Sequence, residues 1–123
     1  MAEVVWTLPF PSSGLTSVDF QKLAGRSCSL FCRHDDYGIV QIIFDGIEAF
    51  KCTYHLACTV DMIETYDNLT DLGITPWLSS IQQQLSEHGG DRLALHHLII
   101  YFDDGPCYEF ICRSFRVESA GAT

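Results

Sequence analysis

Three short loops, Asp35-Asp36-Tyr37-Gly38, Asp45-Gly46 and Asp103-Asp104-Gly105-Pro106, each separate two runs rich in Ile, Val, Phe, Tyr and Cys. Asp-Gly steps supply the positive φ that tight turns require, so such loops between β-branched and aromatic runs read as β-hairpins. Hairpins fix strand register, and a slip of one residue moves a strand's side chains to the other face of the sheet. These loops constrain the fold more than any other feature of the chain.

The rest of the pattern follows around them. Residues 4–8 read as a short edge strand stopped by Pro9 and Pro11, which cannot donate to a ladder. Thr16 or Ser17 can cap a short helix running to Leu23, with Gly25 beyond its end and Asp19 placed to suit the helix dipole. Strands follow over 27–34, 38–44 and 47–57. The period then changes from two to about 3.6, with Met62, Ile63, Tyr66 and Leu69 on one side, which reads as a helix. Asp61 and Glu64 start it, and Gly73 ends it with Ile74 touching Leu69. Thr75 caps a second helix with Pro76 at its first position, Trp77, Leu78, Ile81 and Leu85 face the core, and Gly89-Gly90 closes it. Two more strands lie between 91 and 118. The order is β-α-β-β-β-α-α-β-β, an α+β fold: an antiparallel sheet of five to six strands with a two-helix unit on one face. A chain of 123 residues with 47% apolar content fits a single domain, read here as 1–118, with a fraying tail over 119–123.

Register sharpens the expectation. A third loop counted as two or as four residues places Phe102 opposite Cys107. One face of that hairpin then carries His96, Leu98, Ile100, Phe102, Cys107, Ile111, Phe115 and Val117, and the other Leu95, His97, Ile99, Tyr101, Tyr108, Phe110 and Cys112. Likewise the Asp45-Gly46 turn places Phe44 opposite Ile47. Both faces are apolar, so the sheet must be covered twice. Helices cover one face; curled or barrel-like closure of the sheet, the N-terminal segment and a homodimer are the candidates for the other.

The same count sets His97 opposite Cys112, with Cβ atoms about 5 Å apart. An imidazole beside a thiol can support acyl transfer or thiol chemistry, and with Cys52 or His55 nearby can hold a soft metal. No orienting carboxylate or oxyanion donor is identifiable, so a packed core pair is the competing reading. His96, opposite Arg113, reads as a surface or sheet-end residue. Trp6, Tyr101, Tyr108 and Phe110 are candidate linings for a ligand cavity inside a curled sheet, against their role as core aromatics. Cys28 and Cys32 span about 13 Å on a strand, too far for one zinc or one disulfide. The six cysteines read as reduced, although a Cys52–Cys112 pairing is left open by sequence. The Asp-Asp pairs sit in turns, where Asp serves backbone hydrogen bonding. The chain has no GxSxG, phosphate-binding glycine loop, HExxH or EF-hand pattern, and no cofactor or metal site is expected.

Sixteen acidic against seven basic residues give a formal charge of -9, which repels nucleic acid and anionic lipid and favours a basic protein partner. On the expected helix over 61–71, Asp61, Glu64, Asp67 and Asp71 share one arc with Asn68, opposite the apolar stripe. The longest apolar run, Leu98 to Phe102, is too short for a membrane span, and no basic segment precedes a long apolar stretch, so a cytoplasmic location is expected. The Asn68-Leu69-Thr70 triplet then reads as a polar patch on the helix. The functional expectation is a small acidic, non-enzymatic protein-binding module, an inhibitor, immunity-like or adaptor protein. The alternative is a small-molecule or Cys-His site in the sheet interior.

Overall fold

Both faces of the C-terminal hairpin are apolar because different parts of the same chain cover each of them. In the computed structural model, which describes residues 2–89, 94–103 and 105–120, the fold is α+β and mostly β. Strands β1 (Glu3–Thr7), β6 (Asn68–Asp71), β7 (His96–Tyr101), β8 (Cys107–Cys112) and β5 (Ala49–Thr53) form a five-stranded antiparallel sheet in the order β1-β6-β7-β8-β5. Strands β2 (Ser17–Lys22), β3 (Ser27–His34), β4 (Gly38–Asp45) and β9 (Ser114–Ala120) form a second sheet in the order β2-β3-β4-β9.

The inner faces of the two sheets supply the main core, with Leu30, Ile42 and Phe44 from one and Leu98, Ile100 and Phe110 from the other. Phe44 and Phe110 stack across the gap with ring centroids 3.8 Å apart. The outer face of the five-stranded sheet is covered by helix α2 (Pro76–Glu87), whose Trp77, Leu78, Ile81 and Leu85 pack on Leu95 and Ile111 as their spacing predicts. The short helix α1 (Val60–Ile63) and its flanks place Met62 and Cys58 against Ile99, Tyr101 and Cys107. The sheets end at β1, β5, β2 and β9 and do not close into a barrel. Since the second cover is a second sheet, the doubly apolar hairpin carries no argument for a dimer. Among the described residues no helix is long and apolar enough to cross a membrane.

Several local expectations are corrected. Residues 17–22 form a strand and not a helix: Val18 and Phe20 alternate onto the core while β2 pairs along its length with β3, and that pairing outweighs the capping signals at Thr16 and Ser17. The helix expected over 61–71 is one turn long. Thr59, not Asp61, caps it by accepting from Met62 N–H, the chain turns at Asp67 with φ 58, and Leu69 and Thr70 are then buried on opposite faces of β6. Leu69 and Tyr66 thus served two periodicities at once. Gly46 has the positive φ expected (64), yet the turn is not a hairpin. Phe44 pairs with Cys28 and Phe115 instead of Ile47, and the chain crosses to the other sheet, where Glu48 N–H donates to Ile111. At the C-terminal end β9 pairs with β4 as far as Ala120, so 119 and 120 belong to a strand; residues 121–123 lie outside the described residues.

Candidate functional site

The third loop decides the site, because its true length is odd. Phe102 C=O accepts from Gly105 N–H at 2.7 Å, and Pro106, which has no N–H to give the ladder, follows as one further loop residue. Tyr101 therefore pairs with Cys107, and the register is one residue off the expected count. His96, not His97, lies opposite Cys112, and His97 lies opposite Ile111. His97 and Cys112 are on opposite faces of the sheet, so the expected dyad of these two residues does not form. Burial pushes the Cys112 thiol up to about 12, and those of Cys28 and Cys32 likewise, far from the thiolate range that nucleophilic chemistry needs. All six cysteines are free, with Cys52 exposed opposite Tyr108 and Cys112 in the core.

The same slip brings a carboxylate to His97. Glu109, diagonal to it across β7 and β8, sits 2.9 Å from Nε2, and Thr75 Oγ1 lies 2.7 Å from Nδ1. A carboxylate only accepts, so Nε2–H donates to Glu109. In the neutral ring Nδ1 then accepts the Thr75 hydroxyl proton, while Thr75 Oγ1 accepts Leu78 N–H at 3.2 Å as the cap of α2. Both ring nitrogens and the Thr75 hydroxyl of this hydroxyl–imidazole–carboxylate chain thereby have partners. His97 is 5% exposed, its ring perpendicular to that of Trp77 with centroids 5.1 Å apart, and the Lys51 ammonium lies 4.0 Å from the Trp77 ring centroid. The connectivity is that of an acyl-transfer relay, but its hydroxyl is committed to a helix cap and its ring is roofed by the helix it caps. What it does is pin the N-terminus of α2 to the sheet. Counting Pro106 as a loop residue is the signal that would have revealed Glu109 as the partner of His97.

The ligand-lining candidates are separated. Tyr108 and Phe110 belong to the inter-sheet core with Trp6 packed at its edge, whereas Tyr101 is on the outer face, 2.5 Å from His55 Nδ1 through its hydroxyl. The sheet thus separates Tyr101 from the other three. The four acidic residues expected on one helix face are dispersed as well. Asp61 and Glu64 are exposed around α1. Asp67 accepts from Ser12 N–H, and Asp71 lies at the other end of the sheet with its two oxygens on His96 Nδ1 and Gly73 N–H.

Carboxylates instead gather at one end of the sandwich. That end is built from segments 8–16, 35–37, 54–67, 102–103 and 105–106, which contain no Lys or Arg. Asp35, Asp36, Asp61, Glu64, Asp67 and Asp103 lie there. Hydrogen bonds tie the segments together: Ser12 Oγ accepts from Asp103 N–H, Tyr66 Oη donates to Asp103 Oδ1, and Thr16 Oγ1 donates to Asp35 Oδ1. Large side chains stand exposed among these carboxylates, Tyr37, Tyr54, Val60 and, 97% exposed, Leu56. Lys22, Arg26, Arg113 and Arg116 are at the opposite end together with Glu3, Asp45, Glu48 and Asp71, while the exposed Arg33 stands at the margin of the acidic end, opposite Ser17.

Comparison of the chain with protein-family models, with curated proteins and with solved structures finds no match in any of the three.

Proposed function

We propose that the protein is a non-enzymatic binding module that docks a basic protein on its acidic end. One observation carries this reading: the segments at that end hold six described carboxylates, no Lys or Arg, and exposed Tyr37, Tyr54, Leu56 and Val60. Exposed apolar side chains rimmed by charge of one sign are the composition of a docking surface, and the acidic rim steers and orients a cationic partner. Tyrosine faces add a favourable seat for Arg or Lys. The relay at His97 supports the same reading, since it buries the most enzyme-like residues of the chain beneath a helix. An inhibitor or adaptor role fits such a surface.

The test compares capture from native lysate by the wild type with capture by two variants. In one, Asp35, Asp36, Asp61 and Glu64 become Asn or Gln; in the other, Tyr54 and Leu56 become Ser. All six side chains are exposed, so the fold should be retained, which thermal melts would verify. Basic proteins captured by the wild type should be lost from the charge variant, mainly through slower association, and by raising salt. Identical capture by all three proteins at high salt would refute the assignment.

A further inference from the structure

A cleft of about 250 Å³ opens between the two sheets at the end of Gly46 and Arg113, away from the proposed docking surface. Its floor is apolar, made by Val5, Leu98 and Phe115, and its rim is polar, made by Asp71, His96, Arg113 and Ser114. Val5 is the extra residue where the β1–β6 register shifts, a bulge of the kind that turns an edge strand beside a binding site. Arg113 is the single residue between β8 and β9, and its stem lies on the backbone of Gly46, where a Cβ would come within 2.7 Å of Cγ and Cδ. The missing side chain at 46 thus seats the Arg113 stem at the cleft mouth.

The charge state of the rim identifies the ligand. Arg26 is paired with Glu48, and Arg116 with Asp45 and Glu118, but Arg113 has no acidic partner among the described residues. In a chain carrying nine excess negative charges, a guanidinium left unpaired beside a cavity is a planar receptor for an anion from outside. Asp71, the acid of the rim, already accepts from His96 Nδ1 at 2.8 Å and from Gly73 N–H at 2.9 Å. That bond holds the His96 ring, leaving its Nε2 and the Ser114 hydroxyl without partners among the described residues. A second cleft, of about 330 Å³, has cations at its rim, but Arg26 there is held by Glu48 and Lys22 by Gly25 C=O.

We propose that the cleft binds a small organic carboxylate, its acid group on the Arg113 guanidinium with His96 and Ser114 as further polar contacts, and its hydrocarbon body on Val5, Leu98 and Phe115. The volume lies below the range of about 300–1,000 Å³ common for drug-sized ligands, so the body is a single ring or a short branched chain.

Phenylacetate is the probe, titrated into the uniformly 15N-labelled full chain and followed by amide chemical shifts. Phenylacetamide, which keeps the body without the charge, and inorganic phosphate, which keeps the charge without the body, are the controls. Phenylacetate should shift the amides of Val5, His96, Arg113 and Phe115 saturably, with both controls at least about tenfold weaker. Arg113→Gln should weaken binding about tenfold or more, the loss expected for a charge-assisted hydrogen-bonded pair, and Arg113→Lys less, since it keeps the charge without the fork. Any one of four results would overturn the assignment: no saturable shift at these amides, phenylacetamide binding as tightly as phenylacetate, phosphate doing so, or Arg113→Gln binding as the wild type does.

Discussion

Raising the pH should unfold the protein through its buried thiols. Cys28, Cys32 and Cys112 all face the gap between the sheets, and burial pushes each from 9.0 up to about 12. A group whose folded value lies above its unfolded one holds its proton more tightly in the fold. Its contribution is therefore fully present below about pH 9, the unfolded value, and is lost as the pH rises toward about 12. For one thiol the loss is about 0.4 kcal/mol at pH 9 and about 1.4 kcal/mol at pH 10. Three together remove about 4 kcal/mol at pH 10, a large share of a total stability of about 5–15 kcal/mol. Cys107 and Tyr108, raised the same way by burial, add to the fall. A double variant, Cys32→Ala with Cys112→Ala, isolates two of the terms. Removing two buried sulfurs costs roughly 1 kcal/mol each at neutral pH, so the variant starts about 2 kcal/mol less stable. By pH 10 the wild type has lost about 2.8 kcal/mol more than the variant from those two sites, and the order reverses. Urea unfolding followed by the fluorescence of Trp6 and Trp77, with a non-thiol reductant, measures both proteins across this range. A stability gap that stays the same at pH 7 and pH 10 would refute the reasoning, because the thiols would then ionise as readily in the fold as outside it.

Other perturbations have definite outcomes. His97→Leu should cost about 3 kcal/mol in denaturant midpoint analysis, because it strands the Glu109 carboxylate and the Thr75 hydroxyl, whereas Glu109→Gln, which keeps an acceptor, should cost less than half as much. Gly46→Ala should destabilise more than Gly25→Ala: both glycines have positive φ, costing about 1 kcal/mol each, but only at 46 does the new methyl meet Arg113. Phe110→Ala should cost about 3–5 kcal/mol in the same assay by opening a cavity under Phe44. In native-state alkylation followed by mass spectrometry, Cys52 should react first, with Cys28, Cys32 and Cys112 protected until the sandwich opens.

What was legible in the chain was local and strongly coded. Helix α2 follows from Thr75, Pro76 and the Trp77, Leu78, Ile81, Leu85 spacing because cap, first turn and apolar stripe all agree. Strands β3 and β4 follow from alternation around Asp35–Gly38 for the same reason. The failures occurred where one residue type serves two structures. Gly46 provides positive φ equally to a hairpin and to a crossover between sheets, and sequence does not say which. Val18 and Phe20 lie two apart, but the cap-like Thr16 and Asp19 around them imitate a helix start. At the site, the unexpected residue was Pro106: its missing N–H lengthened a loop by one, which removed Cys112 from His97 and delivered Glu109. The gathering of carboxylates at one end depends on which loops share that end, a tertiary fact that composition averages away.

The crossing at Arg113 has a mechanical consequence. Stacked sheets lie about 10 Å apart and a strand advances about 3.3 Å per residue, so a one-residue link draws the two sheets together at that corner. The three-residue crossing from β4 to β5 at Gly46 ties them again at the same end. At the acidic end the sheets are joined by the long 8–16 segment, held by Ser12 to Asp67 and Asp103. The sandwich is therefore clasped at one end and latched at the other. Any breathing motion pivots about Arg113 and Gly46 and is widest beneath Tyr37 and Tyr66, so a load applied to the acidic end works on the latch first.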